Sequence, residues 1–201
     1  MKSGRCTYGH YDSTAPSDQS HPANIQAEAY SHILHRTPHQ KGTPMAKNAK
    51  TSVTTKKQLV SLLNEDLQRE FQAVIAYVNY SQVLKGAAYM NIAGELEKHA
   101  HEELKHALKL SYWIDLLGGM PAVTAKSVKT SEKATDMLRF DLENEKETIR
   151  NYRRRVKQAD ALDEFALSED LRDILRDEQD HLNALATALG EDTPDPGIAA
   201  A

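Results

Sequence analysis

Cysteine is almost missing from this chain: Cys6 is the one thiol among 201 residues. A lone cysteine excludes an intramolecular disulfide, a Cys-ligated iron–sulfur centre and a Cys-x-x-C iron site. It fits a reducing compartment, for which cytoplasmic is the default reading. No apolar run approaches membrane-spanning length and the N-terminus has no hydrophobic signal core, so no membrane partner is expected. Alternating strand patterns are lacking too, which leaves helices as the building material. Nor is there a large charge of one sign. The net −4 is uneven, with six Lys and Arg against three Asp and Glu in residues 1–50, and 19 against 26 after them. An acidic body disfavours nucleic acid as a partner and attracts cations, and the small positive excess of the first segment is too weak to argue for DNA binding.

Residues 1–53 are rich in His, Pro, Ser, Thr and Gly and show no sustained apolar periodicity, so they read as a disordered N-terminal extension. Five histidines fall there (His10, His21, His32, His35 and His39), but their spacing is irregular and thiols to complete a metal site are lacking. Met45, followed by Ala-Lys-Asn-Ala-Lys, reads as an alternative natural start just ahead of the folded part. Four helical segments are predicted after it, over about 54–85, 88–117, 131–158 and 163–189. The first carries Leu59, Leu63, Leu67, Phe71, Val74 and Val78 at helical spacing. Gly118-Gly119 stops the second, Ser131 and Asp163 are candidate N-caps for the third and fourth, and Gly190 stops the last. Short, long and short connections imply an all-α antiparallel four-helix bundle over 54–190, with one long crossover between helices 2 and 3. Residues 191–201 read as a flexible tail.

Within that bundle one pattern is repeated. Glu-x-x-His occurs at Glu103–His106 and again 75 residues later at Glu178–His181, and each copy has a glutamate 33 residues upstream, Glu70 and Glu145. Residues three apart on a helix share a face. The midpoint of the first 33-residue interval falls beside Gly86 and that of the second at Ala161-Leu162, where helices can reverse. About 16 residues on either side of a turn span roughly 24 Å, so both members of each pair arrive at the same height of a hairpin. Two hairpins packed face to face bring four carboxylates and two imidazoles to one level, the ligand set of a carboxylate-bridged dinuclear metal site. A single Glu-x-x-His is ordinarily a solvated helix face. The matched upstream glutamates, by chance roughly a one-in-two-hundred coincidence, and the apolar surroundings of Glu70 argue otherwise, because a buried carboxylate is costly unless paired or bound to metal.

From Lys57 to Leu189 the chain is similar to bacterioferritin and other members of the ferritin-like superfamily. The resemblance runs through Asn64-Glu65 up to Tyr77, Glu102-Glu103-Leu104-Lys105-His106-Ala107, Met137-Leu138-Arg139 up to Glu145, and Ile174-Leu175-Arg176-Asp177-Glu178 up to His181. It implies a ferritin-like bundle in which Glu70 and Glu145 are terminal metal ligands, Glu103 and Glu178 bridge two metals, and His106 and His181 each complete one. Tyr77, seven after Glu70, stands where the family has a tyrosine close to the metals. It is read either as an electron donor or as a core aromatic that hydrogen-bonds a ligand carboxylate, and Tyr152, seven after Glu145, extends the repeat. Three departures matter. Leu104 occupies the position of the axial haem methionine, so haem is not expected. Lys98 occupies the position of a histidine that builds an inner-surface iron site in some bacterioferritins. Residues after Gly190 cannot supply the family's short fifth helix, which leaves a 24-subunit shell without support.

The resemblance implies oxidation of Fe(II) by O2 or H2O2 at the dinuclear site, coupled to iron storage and detoxification in a homo-oligomer. Two Fe ions per subunit are expected, with Mn the other metal that hard carboxylates and imidazoles suit. The competing reading is a non-storing di-iron or di-manganese enzyme of the peroxidase or catalase kind. Against a rubrerythrin, the position of its extra metal-binding glutamate is Thr148. A metal-free helical interaction protein would leave the buried Glu70 without a reason.

Overall fold

The computed structural model describes residues 54–197. The expectations for the N-terminal extension, its histidines and the start at Met45 lie outside the described residues. Helix α1 spans Lys56–Val83, α2 Met90–Leu116, α3 Ala134–Asp160 and α4 Phe165–Leu189, with a 3-10 turn at Ala87–Tyr89 before α2. Among the described residues there is no strand.

A reciprocal cap starts α1. The Gln58 amide N–H donates to Thr55 Oγ1 at 3.2 Å, and the Thr55 amide donates back to Gln58 Oε1 at 2.8 Å. At the other end of the bundle Gly190 closes α4 in the left-handed region, φ 71°, as the sequence predicts. The starts of α3 and α4 lie inward of the candidate caps. Ser131 uses its hydroxyl inside the preceding loop, accepting from Lys133 N at 3.1 Å and donating to Asp136 at 2.9 Å. Asp163 adopts φ 59° within the α3–α4 turn, so it redirects the chain and α4 begins at Phe165. Val78, predicted in the core, is 54% exposed. Glu70 and Tyr77, seven apart, both point inward, and Val78 lies about 100° further round the helix.

Helix α1 packs mainly on α2 and α3 on α4, giving two hairpins joined by α1–α3 and α2–α4 contacts. The crossover, residues 117–133, returns along α1. Asn64 holds its start, accepting from Ala122 N at 2.7 Å, Gln68 O accepts from Lys126 N at 3.0 Å, and Gln72 donates to Ser127 O at 2.8 Å. This path carries the chain back to the end where α1 finished, so α3 runs antiparallel to α1. Two apolar clusters fill the bundle. One contains Tyr80, Ile92, Leu96, Leu138, Leu142 and Leu185, the other Leu59, Leu63, Leu110, Ile114, Leu167 and Leu171. Between them lies a polar layer.

The second cluster is bordered by a buried ion pair. Arg155 Nε donates to Asp66 Oδ2 at 2.6 Å, and both side chains are buried. Burial pushes the Asp66 carboxyl up to about 6 even against the neighbouring Arg155 charge. Arg155→Met is expected to cost about 3–5 kcal/mol by leaving the carboxylate unpaired. Urea unfolding over a range of pH checks this, and the loss should shrink on acidification, starting above pH 6 because Arg155 no longer lowers Asp66.

Candidate metal centre

Glu70 on α1, Glu103 and His106 on α2, Glu145 on α3, and Glu178 and His181 on α4 all lie in the polar layer, and all six are buried. Their ligand atoms fall into two groups, each within 4.8 Å. Glu70, Glu103, His106 and Glu178 form one, and Glu103, Glu145, Glu178 and His181 the other. Glu103 and Glu178 belong to both, which is the arrangement two bridging and two terminal carboxylates require.

Both imidazoles turn Nδ1 inward. His106 Nδ1 lies 3.1 Å from Glu103 Oε2, 3.2 Å from Glu178 Oε1 and 3.5 Å from Glu70 Oε2. His181 Nδ1 lies 3.1 Å from Glu103 Oε1 and 3.5 Å from Glu178 Oε2. Yet Glu103 Oε1, both Glu178 oxygens and His181 Nδ1 make no properly angled hydrogen bond. Buried polar atoms rarely stay unsatisfied. Here they converge on shared points, and carboxylate oxygens with imidazole nitrogens are the donor set that divalent iron or manganese takes.

The outward nitrogens are held by acids the sequence reading did not single out. His106 Nε2 lies 3.1 Å from Asp177 Oδ2, and His181 Nε2 lies 2.9 Å from Glu102 Oε2. Such partners fix the tautomer and leave Nδ1 free for a metal. Asp177→Asn is expected to weaken metal binding ~10- to 100-fold, which isothermal titration calorimetry would measure. The tyrosines cross over between hairpins: Tyr77 of α1 donates to Glu145 of α3, and Tyr152 of α3 donates to Glu70 of α1. Each hydroxyl fixes one terminal carboxylate. Burial, then the adjacent carboxylate charge, pushes both phenols well above their ordinary range, so they keep their protons.

Burial and the charges of Glu103 and Glu178 drive Glu70 and Glu145 upward. For Glu103 and Glu178, burial works the same way, but the close approach of the two imidazoles overcomes it and holds both low. The histidines respond in the opposite sense. Burial opposes their charge, contacts with Glu103 and Glu178 prevail, and His181 is pushed up to about 12. Without metal the layer is therefore two carboxylates, two carboxylic acids and two imidazolium rings, which balance in charge.

The repeat extends further than the ligands. Glu102 and Asp177 are 75 apart, as are Asp66 and Asp141, both buried, which stand four before Glu70 and Glu145. An acid at matching offsets in both copies is the signal that would have found them. His99 has no such counterpart, since Ile174 occupies the matching place. It stacks on His181 with ring centres 4.0 Å apart and meets Tyr77 edge-on at 5.3 Å.

Comparison with known proteins gives a consistent picture. The model of the ferritin-like domain family matches residues 60–193. Bacterioferritin of Streptomyces coelicolor is 27% identical over 133 residues, covering 66% of this chain and 80% of that protein. Bacterioferritin of Brucella melitensis biotype 1 is 26% identical over 133 residues, 66% of this chain and 83% of that protein. Among solved structures, a ferritin-like diiron-carboxylate protein from Bacillus anthracis superposes with a TM-score of 0.65 at 34% identity, covering 67% of this chain and 96% of that one. A dodecameric thioferritin from Bacteroides fragilis, a bacterioferritin-related protein, shares the fold with a TM-score of 0.64 at 24% identity, over 69% of this chain and 88% of that one.

Proposed function

Because this chain belongs to the ferritin-like domain family, we propose that it oxidises Fe(II) to Fe(III) with O2 or H2O2 between Glu70, Glu103, His106, Glu145, Glu178 and His181, as a ferroxidase coupled to iron storage and detoxification. The observation that carries this reading is the sharing of Glu103 and Glu178 by both ligand groups. Two ferrous ions, here the substrate, fit such a pair of groups, and each supplies one electron. One H2O2 accepts two electrons and two protons to give two waters; O2 accepts the same to give H2O2. Tyr77 and Tyr152 hold the terminal carboxylates, Asp177 and Glu102 hold the imidazoles, and the apolar clusters above and below limit water. With both electrons coming from the two ferrous ions, Tyr77 is assigned to holding Glu145, the other role weighed for it. Mn is the alternative metal, and haem has no ligand at Leu104, an exposed leucine.

We assign the chain to the cytoplasm, in keeping with its single thiol. Among the described residues no helix is long and apolar enough to cross a membrane. Self-association is part of the same reading. Leu104, Leu108, Tyr112 and Leu116 are exposed at four-residue spacing along one face of α2. An apolar line of this kind marks an interface between protein surfaces.

A second reading is a diiron redox enzyme that stores nothing. Two observations favour it: the 34% identical Bacillus anthracis protein is described as a diiron-carboxylate protein, and residues 191–197 form no helix. That segment instead lies against α3, with Arg150 donating to Pro196 O at 2.8 Å and Arg153 to Gly197 O at 3.1 Å. Aerobic addition of Fe(II), followed by size-exclusion chromatography and iron counting, separates the two. Many iron atoms per chain in a large assembly is the expected result. About two per chain in a small oligomer, with turnover of H2O2, would replace storage by the enzyme reading.

A further inference from the structure

The ligand chamber meets the surface on two sides of the bundle, and the two are unlike. Between α1 and α3 the space beside the four glutamates is about 10 Å³, at or below the room one water needs. Arg69, 7% exposed, lies across it. Its guanidinium contacts Thr148 Oγ1 at 3.4 Å, Asn144 O at 3.2 Å and Glu147 Oε1 at 3.0 Å. A guanidinium stays charged at any working pH, so a cation meets both a plug and a like charge here.

Between α2 and α4 there is instead a cavity of about 220 Å³. Glu95, Glu102, Asp177 and Asp180 line it against a single cation, Lys98. At its inner wall stand His99 and His181. The His181 ring divides the cavity from the chamber, with Nε2 on Glu102 at 2.9 Å and Nδ1 3.1 Å from Glu103. His99 is only 5% exposed, lines the same cavity, and its Nδ1 has no hydrogen-bond partner. One ligand atom from each of His99, Glu102 and His181 falls within a 4.8 Å group.

We propose that His99 and Glu102 form a third divalent-cation site, outside the dinuclear pair, through which metal ions enter the chamber between α2 and α4. The inference rests on the dinuclear reading given above. It is built from this chain's own residues: some bacterioferritins build an inner-surface iron site with a histidine at the position of Lys98, and this chain has no imidazole there. A carboxylate with one buried imidazole is a modest ligand set, completed by water, which suits an ion that binds and moves on.

The test is anaerobic Co(II) binding to the full chain, titrated to saturation by visible absorption and followed in time by stopped flow. His99→Gln and Glu102→Gln are each compared with the unaltered chain, so that cobalt held by other histidines cancels. Both variants should bind one equivalent fewer and fill the dinuclear pair ~10-fold more slowly or worse. Glu147→Gln, at the α1–α3 side, should match the unaltered chain in both respects. Because Glu102 also holds His181, His99→Gln is the deciding variant: an unchanged equivalent count or an unchanged filling rate in it would overturn the proposal, as would slow filling confined to Glu147→Gln. Failure of the unaltered chain to hold cobalt at the dinuclear pair would instead overturn the reading beneath it, so the two failures are distinguishable.

Discussion

Replacing Glu103 with alanine is expected to lower the initial rate of aerobic Fe(II) oxidation by ~100-fold or more, because changes one shell further out already cost ~10- to 100-fold in metal-site function. Glu103, like Glu178, presents its two oxygens to different imidazoles, Oε2 towards His106 and Oε1 towards His181, each at 3.1 Å. Losing it removes a ligand from both groups at once. His106→Ala strips one group only and should leave one metal position able to fill, while still abolishing rapid oxidation, since the two-electron step needs both ions. Stopped-flow absorbance after mixing with Fe(II) in air measures the rate, and Glu143→Ala, an exposed glutamate on α3, is the control. Unchanged kinetics in Glu103→Ala would remove the assigned site.

The second large effect concerns protons. In the metal-free chain Glu70 and Glu145 are raised and keep their protons, and His106 and His181 are raised and stay charged. Two divalent ions require all four groups to give a proton up, so loading should release about four protons per chain. A pH-stat or an indicator dye reads this directly during anaerobic Fe(II) addition. Affinity must accordingly fall steeply on acidification. Stability follows the same shifts. The imidazoles titrate at 6.5 when unperturbed and His181 reaches about 12 when folded, so the stability they contribute is fully present below 6.5 and is lost as pH rises towards the folded value. Glu70 and Glu145, raised above an ordinary 4.5, act in the same direction from that pH upward. Glu103 and Glu178 are lowered, so their contribution is present above 4.5 and disappears in acid. Thermal melts of the metal-free chain should therefore peak between about 4.5 and 6.5 and decline towards alkaline pH, whereas the loaded chain should not decline there. A metal-free melting temperature that rises from pH 6.5 to about 9 would contradict the charge states described.

Much of this centre was legible because its ligands are tied to helix geometry. A three-residue spacing fixes a face, and equal distances from two turns fix a height, so the layer could be located without knowing any contact. The ends of α3 and α4 were less legible. Ser131 and Asp163 are good N-cap residue types, but here the Ser131 hydroxyl is used by the loop and Asp163 takes the left-handed turn position that aspartate tolerates. Val78 was misplaced because apolar character does not say which of two adjacent helical positions faces inward, and a polar tyrosine took the inner one. The crossed tyrosine pairs depend on which hairpin faces which, information that lies outside any single periodicity. His99 falls outside the repeat, with Ile174 at the matching place in the second copy. What marks it is a buried nitrogen without a partner, and that requires coordinates. Arg69 likewise reads as a surface arginine until its three partners on α3 are seen.

The most direct test is crystallography of the full chain after anaerobic soaking with Fe(II), using anomalous scattering at the iron edge to locate the ions. Two peaks per chain are expected in the polar layer, one reached by Glu70 and His106, the other by Glu145 and His181, with Glu103 and Glu178 touching both. Anomalous signal confined to other parts of the chain, with Glu70, Glu103, Glu145 and Glu178 still paired to the imidazoles, would contradict the account.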